Sequence, residues 1–181
     1  MEYRIELKLI NNQECIIRNA VYEDGPEVSE LFLQTHGESD YLLSYPEEHS
    51  FDAQGESEFL QKRAESDREV MLVAVLDNKI VATAGISEVG HKYKVRHRAE
   101  FGIDVAKAYW GIGIGRAMMN ACVECAKEMG YKQLELDVVA DNDRAFRMYQ
   151  SAGFVEFGRN PMGFISKYTG VQELVYMRLV L

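Results

Sequence analysis

Gly111-Ile112-Gly113-Ile114-Gly115-Arg116 is the stretch whose reading decides the fold. It follows a strand-like run, Ala99 to Val105, and opens a helix-like run that continues to Met129. Alternating glycines remove the Cβ atoms where a strand hands over to a helix, so a ligand can approach the backbone N–H groups. The helix that follows presents free N–H groups and the positive end of its dipole, which suits a phosphate. Two phosphate-binding patterns do not fit. A dinucleotide G-x-G-x-x-G places its last glycine on Arg116 or Met118, and no Lys-Ser or Lys-Thr pair follows to complete a nucleotide-triphosphate loop. Taken alone, the turn also fits a tight connection with no ligand.

Upstream, Ala99-Glu100-Phe101-Gly102-Ile103-Asp104-Val105 reads as the strand that feeds the turn. Gly102 inside it suggests a bulge or a close backbone approach. A strand splayed at that point would leave the N–H groups of Ile103 and Val105 to a ligand. Downstream, Ile114, Ala117, Met118, Ala121, Cys122, Cys125 and Met129 share one helical face, and Gly130 supplies a stop. Gln133 to Val138 then alternates as a strand. Strand, crossover helix and strand imply a parallel pair, with the glycine turn at the carboxyl end of the sheet where α/β ligands sit.

The N-terminal half reads as antiparallel sheet with helices. Tyr3 to Ile10 alternates, with Ile5, Leu7 and Leu9 on one face, and Cys15-Ile16-Ile17-Arg18 is a second strand after the Asn11-Asn12 turn. Asp24-Gly25-Pro26 starts a helix whose apolar face is Val28, Leu31 and Phe32. His36 to Glu58 is aperiodic and acidic, a surface loop or a substrate loop whose carboxylates attract an amine. A short helix is expected from Ser57 to Asp67. Val70 to Leu76 and Lys79 to Ile86 then form a hairpin around Asp77-Asn78, followed by an exposed basic connection from His91 to Arg98.

The chain has 181 residues, 47% hydrophobic and 27% charged, which fits one globular domain with a substantial core. A net charge of −9 disfavours nucleic acid or an anionic membrane as partner and is compatible with a cationic substrate. No run is apolar and long enough to span a membrane, and the start lacks the apolar core of a signal peptide, so a cytoplasmic location is expected. Three cysteines fit a reducing compartment. Cys122 and Cys125 fall in mid-helix on the apolar stripe and read as buried thiols. The four histidines show no metal-ligand spacing, so no metal is expected.

A second stretch is equally informative: Asn142-Asp143-Arg144-Ala145-Phe146-Arg147-Met148-Tyr149-Gln150-Ser151-Ala152-Gly153-Phe154. Asp141 or Asn142 can cap a helix that Gly153 ends, and Asn142, Ala145 and Tyr149 share one face. Alone, Tyr149 also fits a core aromatic with a satisfied hydroxyl.

Together the two motifs resemble the GNAT superfamily of acetyl-CoA-dependent N-acetyltransferases. Its cofactor motif Q/R-x-x-G-x-G/A aligns with Trp110-Gly111-Ile112-Gly113-Ile114-Gly115, and its N-x-x-A-x-x-x-Y-x-x-x-G-F motif matches from Asn142 to Phe154. Trp110 stands where the family has Arg or Gln. The resemblance covers residues 15–181 as the N-acetyltransferase domain, with residues 1–14 an extra N-terminal strand.

The resemblance implies a mixed α/β fold: a mostly antiparallel sheet, helices on both faces and a terminal hairpin from Phe154 to Leu181. It further implies that acetyl-CoA lies between the strand ending at Val105 and the strand beginning near Gln133. Gly111, Ile112, Gly113, Ile114, Gly115, Arg116 and Asn142 would bind the cofactor, and the N–H of Ile103 or Val105 would polarise the thioester carbonyl. Tyr149 would serve the leaving thiolate in a direct transfer to a primary amine of a small molecule or peptide. Glu100 is the candidate base, with Glu38 and Asp40 as alternatives. A monomer or homodimer is expected. The competing expectation is a non-catalytic CoA-binding module of the same fold.

Overall fold

In the computed structural model, which describes residues 2–181, the apolar and alternating runs join into one eight-stranded sheet. The strands are β1 (Arg4–Lys8), β2 (Glu14–Asn19), β3 (Val70–Leu76), β4 (Lys79–Glu88), β5 (Arg98–Val105), β6 (Gln133–Val139), β7 (Val155–Ser166) and β8 (Gly170–Val180). They lie in the order β1-β2-β3-β4-β5-β6-β8-β7. Every neighbouring pair is antiparallel except β5 and β6, the pair joined through a crossover helix as expected.

Four helices cover the sheet: α1 (Gly25–Glu38), α2 (Ala53–Ala64), α3 (Ile114–Glu128) and α4 (Asp143–Ser151). Alternation on the central strands separates them into two layers. Leu72 and Ala74 of β3 pack with Met118, Cys122 and Cys125 of α3, whereas Val73, between them, packs with Val28 and Leu31 of α1 and Leu60 of α2. A strand buried on both faces has to be apolar throughout, and Val70–Leu76 is. Asp77 and Asn78 close the β3–β4 hairpin with φ of 48° and 62°, the left-handed pair that a two-residue turn of this twist requires.

Three expectations are corrected. The aperiodic segment is shorter than His36 to Glu58, because α1 runs on to Glu38 and buries Thr35 and His36. The second helix begins at Ala53 rather than Ser57, since the Asp52 carboxylate accepts the Gly55 N–H at 2.8 Å and caps it. It ends at Ala64, and the Ser66 hydroxyl then accepts the N–H groups of Arg68 and Glu69 and turns the chain into β3. Gly102 makes no bulge: β4 and β5 stay in register through Gly85↔Gly102, and the irregularity lies at Ala74/Val75 instead.

Residues 4–8 form an edge strand of the same sheet. Leu9 enters the core and Leu7 is half-buried against it, but Ile5 is exposed, because an edge strand extends past the margin of α3. The Ile10 N–H donates to the Ile112 carbonyl at 3.1 Å, so the β1–β2 turn braces the glycine turn. Between β2 and α1, Arg18 grips Asp24 through two bonds of 2.6 and 2.9 Å. All three cysteines are buried free thiols, and burial pushes Cys125 up to about 12.

Candidate active site

The site begins where β5 and β6 part. Their pairing covers only Arg98↔Gln133, Ala99↔Leu134 and Glu100↔Glu135, while β5 continues along β4 to Val105. Two bonds fix which groups of β5 face the gap: Val89 N–H to the Arg98 carbonyl at 3.2 Å, and Ala106 N–H to the Val81 carbonyl at 3.0 Å. In an antiparallel ladder the intervening residues turn their backbone groups the other way. The N–H groups of Ile103 and Val105 therefore point away from β4, toward the opening that β6 has left. The Val105 carbonyl confirms the direction, since it accepts the Trp110 indole N–H at 2.7 Å.

Trp110 thus ties the end of β5 to the start of the glycine turn. Its ring carries the Arg144 guanidinium 4.6 Å from the centroid, with the Lys107 ammonium at 5.9 Å. Where the resemblance leads to an expected Arg or Gln there is an aromatic ring, and a cation from α4 lies on that ring.

The glycine turn is open. Gly111 and Gly113 have φ of 83° and 104°, and a Cβ on Gly111 would meet no atom within 4 Å. Gly113 is the N-cap of α3, and among the described residues no side chain accepts from the N–H groups of Ile114, Gly115 and Arg116. Gly115 serves packing: a Cβ there would lie 3.2 Å from the Met148 sulfur, where α3 and α4 touch. Ile114 is buried, Ile112 half-buried, and Arg116 exposed with Nη2 3.4 Å from the Ser151 hydroxyl.

On α4 the Asn142 side chain accepts the Ala145 N–H at 3.3 Å, so it is the helix cap and also lines the cleft. Seven residues on, Tyr149 is 7% exposed and lies edge-on to Phe101, with ring centroids 6.2 Å apart. Among the described residues its hydroxyl has no hydrogen-bond partner, although it borders the same cleft. Burial first, then the charges of Asp104 and Asp137, push this phenol up, so it stays protonated at neutral pH.

These groups border one cleft of about 1660 Å³. On the α3–α4 side Arg116, Arg144 and Arg147 line it beside Asp141 and Asp143, and Arg147 is paired with Asp143 at 2.9 Å. On the α1 side it is lined by Phe32, His36, Tyr41, Leu43 and Asp104. Glu100 stands apart from this cleft, exposed beside a smaller cavity of about 440 Å³ that it shares with Glu135 and Asp137.

The carboxylates of the acidic segment are engaged by the protein itself. Glu38 accepts the Lys107 N–H at 2.7 Å. Asp40 accepts from Ser166, Tyr45, Thr169 and Gln172; burial works against its ionised form, but these donors hold it below the usual carboxylate range. Glu47 meets Lys167 at 2.5 Å. Sequence reading overlooked Asp104, His36 and Arg144. Asp104 carried a signal, a charged residue at the end of an otherwise apolar strand; the positions of His36 and Arg144 arise only from how α1 and α4 pack.

Among the described residues no helix is long and apolar enough to cross a membrane, and no group of His, Cys, Asp and Glu could hold a metal.

Similarity to known proteins agrees with this geometry. The profile of the acetyltransferase (GNAT) family matches residues 31–154. The chain is 26% identical over 143 residues to the L-amino acid N-acetyltransferase AaaT of Escherichia coli, covering 78% of this chain and 83% of that protein. Among solved structures, an acetyltransferase of the GNAT family from Streptococcus pneumoniae superposes with a TM-score of 0.88 at 26% identity, over 92% of this chain and 99% of that one. The structure of yncA, a putative acetyltransferase from Salmonella typhimurium with its cofactor acetyl-CoA, superposes at 0.82 with 18% identity, covering 92% and 94%. The family match takes in the parted strands, the glycine turn and Tyr149 together, and the chain belongs to the acetyltransferase (GNAT) family.

Proposed function

We propose that this protein transfers the acetyl group of acetyl-CoA to a primary amine of a small molecule or peptide by direct attack. The observation that carries the reading is convergence. The uncapped start of α3, the unpaired edge of β5 and Tyr149 all line one cleft. In this reading the diphosphate of the cofactor rests on the N–H groups from Gly111 to Arg116, with Arg116 and Arg144 nearby as counter-charge and Asn142 ordering the start of α4 beside it. The thioester carbonyl accepts from Ile103 or Val105. Attack builds negative charge on that oxygen, and a fixed donor stabilises the charged state more than the ground state.

The leaving sulfur then needs a partner. Tyr149 donates to it, and because burial keeps the phenol protonated, it acts as a hydrogen-bond donor at every pH the enzyme meets. No protein nucleophile is involved, since the three thiols are buried away from the cleft. The E. coli relative, named as an L-amino acid N-acetyltransferase, supports a small amine as acceptor. Glu100 serves as base only for an amine that enters by the smaller cavity. The three free thiols support a cytoplasmic setting.

Thiol release from acetyl-CoA across an amine panel, with mass spectrometry of the products, tests the proposal. Amine-dependent release with an acetylated product is expected. Saturable acetyl-CoA binding without turnover on any amine would leave a non-catalytic CoA-binding module.

A further inference from the structure

One group in the cleft has no structural occupation. Asp104 makes no hydrogen bond or ion pair among the described residues, although it is only partly exposed and lines the cleft. On an alternating strand its side chain leaves from the face opposite Phe101, toward α1. It lies in sequence between Ile103 and Val105, the two residues whose N–H groups face the gap. At ~3.3 Å per residue, its Cα is within one step of either donor along the strand. A group bound to those donors would have the Asp104 carboxyl beside it on the α1 side and Tyr149 on the α4 side.

His36 lines the same cleft from α1. Its Nδ1 lies 2.8 Å from the Phe32 carbonyl, and a carbonyl only accepts, so Nδ1 carries the proton there. Neutral His36 therefore has its lone pair on Nε2, for which no protein donor is present among the described residues. The ring is fixed by the Phe32 ring at 3.8 Å and by His49 at 5.9 Å. The His49 Nε2 is itself engaged, 2.7 Å from the Ser44 hydroxyl. Burial raises the Asp104 carboxyl, and a positive charge at His36 lowers it, while no hydrogen bond or ion pair joins the two groups among the described residues. The other titratable or charged groups around them include Tyr149 from α4, Asp137 from β6, His49 from the α1–α2 connection, Glu38, which the Lys107 amide holds, and Arg63 from α2, which donates to the Ile86 carbonyl and the Ser87 hydroxyl.

We propose that Asp104 and His36 hold the acceptor amine between them and accept the proton it loses. This rests on the proposed acetyl transfer and assigns its proton acceptor. The ammonium ion sits against the Asp104 carboxylate, gives one proton to His36 Nε2, and His36 releases it to solvent. The free amine then attacks the thioester carbon. A C–N bond forms, the C–S bond breaks, and its electron pair goes to sulfur. The second proton lost by nitrogen balances the proton gained by sulfur, and the products are an amide and a free thiol. An unpaired carboxylate beside an imidazole nitrogen that no protein donor occupies selects a cationic primary amine at this point, whereas the acidic segment does not, because its carboxylates are already bonded.

The test is the pH dependence of kcat/KM for the amine in wild type, Asp104→Asn, His36→Gln and Glu100→Gln. Loss of a general base costs about 100-fold or more, so D104N and H36Q should fall by that order at pH 7 and lose the acidic limb of the profile. Activity of D104N should recover as the pH approaches the amine's own value near ~10, where the acceptor needs no base. Acetyl-CoA affinity should be unchanged. D104N should also melt no lower than wild type, because an ionised carboxylate whose value is raised by burial opposes folding at neutral pH. A structural role predicts the opposite shift. D104N and H36Q with wild-type rates and limb, or with the limb lost in E100Q instead, would overturn the inference and leave the acetyl transfer standing. Wild type that binds acetyl-CoA and acetylates no amine would overturn the proposed function itself.

Discussion

The two halves of the cleft are built from different material. On the α3–α4 side the cofactor-facing groups are chiefly backbone N–H groups, exposed by the parting of β5 from β6 and by the glycine turn, with Tyr149 and the arginines around them. On the α1 side they are side chains, Asp104, His36, Phe32, Tyr41 and Leu43, brought together by the end of β5, a helix and a connection that share no motif. A backbone site has to be written in glycine and in fixed spacings, because any Cβ would fill it or strain it. A side-chain site can be written in many ways. The first half therefore suits a cofactor shared across a family, and the second suits an acceptor particular to this protein.

The largest effect expected from breaking this contrast is at Gly113. Gly113→Val puts a β-branched residue at φ 104° in the mouth of the phosphate site. Acetyl-CoA affinity, measured by calorimetry, should fall by about 100-fold or more, through strain of order 1–3 kcal/mol together with the blocked approach. Next is Tyr149→Phe, which removes a donor without altering the packing against Phe101 and Phe154. Its kcat should drop roughly 100-fold with acetyl-CoA affinity within about twofold, the pattern for an interaction made only in the transition state. Wild-type turnover would remove the role.

A third substitution tests the frame. Burial raises the Asp24 carboxyl, but the Arg18 guanidinium and the Val21 amide lower it by more, so its net value lies below that of a free carboxylate. The pair is then fully stabilising above the unfolded-state value near ~4 and weakens as the pH falls through the lower folded value. Arg18→Met should cost about 2 kcal/mol in urea unfolding at pH 7, below the range for fully buried pairs because Arg18 is partly exposed. That gap should narrow below about pH 4, as the carboxyl becomes neutral in both proteins.

The smallest effect sharpens the contrast most. Gly102 borders both cavities, a Cβ there would meet nothing within 4 Å, and its φ is ordinary. Gly102→Leu should therefore fold normally and raise the KM for the amine about tenfold, a modest steric effect of order 1.4 kcal/mol, with acetyl-CoA affinity unchanged. Equal loss of both affinities would show that the two halves are not separable.

The same contrast explains what the sequence could disclose. The β3–β4 hairpin was legible because Asp77 and Asn78 are residues that accept left-handed backbone between two apolar runs. The β5-α3-β6 crossover was legible because the apolar stripe of α3 switches period at both ends. The start of α2 was not, since Asp52 caps a helix whose first turn holds Gly55 and no apolar repeat. Gly115 and Gly113 look alike in the chain, yet one accommodates Met148 and the other a left-handed cap. Trp110 read as a departure from the family motif. Only the fold shows its indole bonded to Val105 and its ring under Arg144. His36 and Asp104 are 68 positions apart, and nothing local to either residue announces the other.

The central claim is that backbone N–H groups at the start of α3 and on the free edge of β5 hold the cofactor. Amide NMR of the protein titrated with acetyl-CoA tests it most directly. The account predicts the largest shifts at Gly111, Gly113, Gly115, Arg116, Ile103 and Val105, with β1 and β7 little changed. Saturable binding that leaves those six amides unmoved would contradict it.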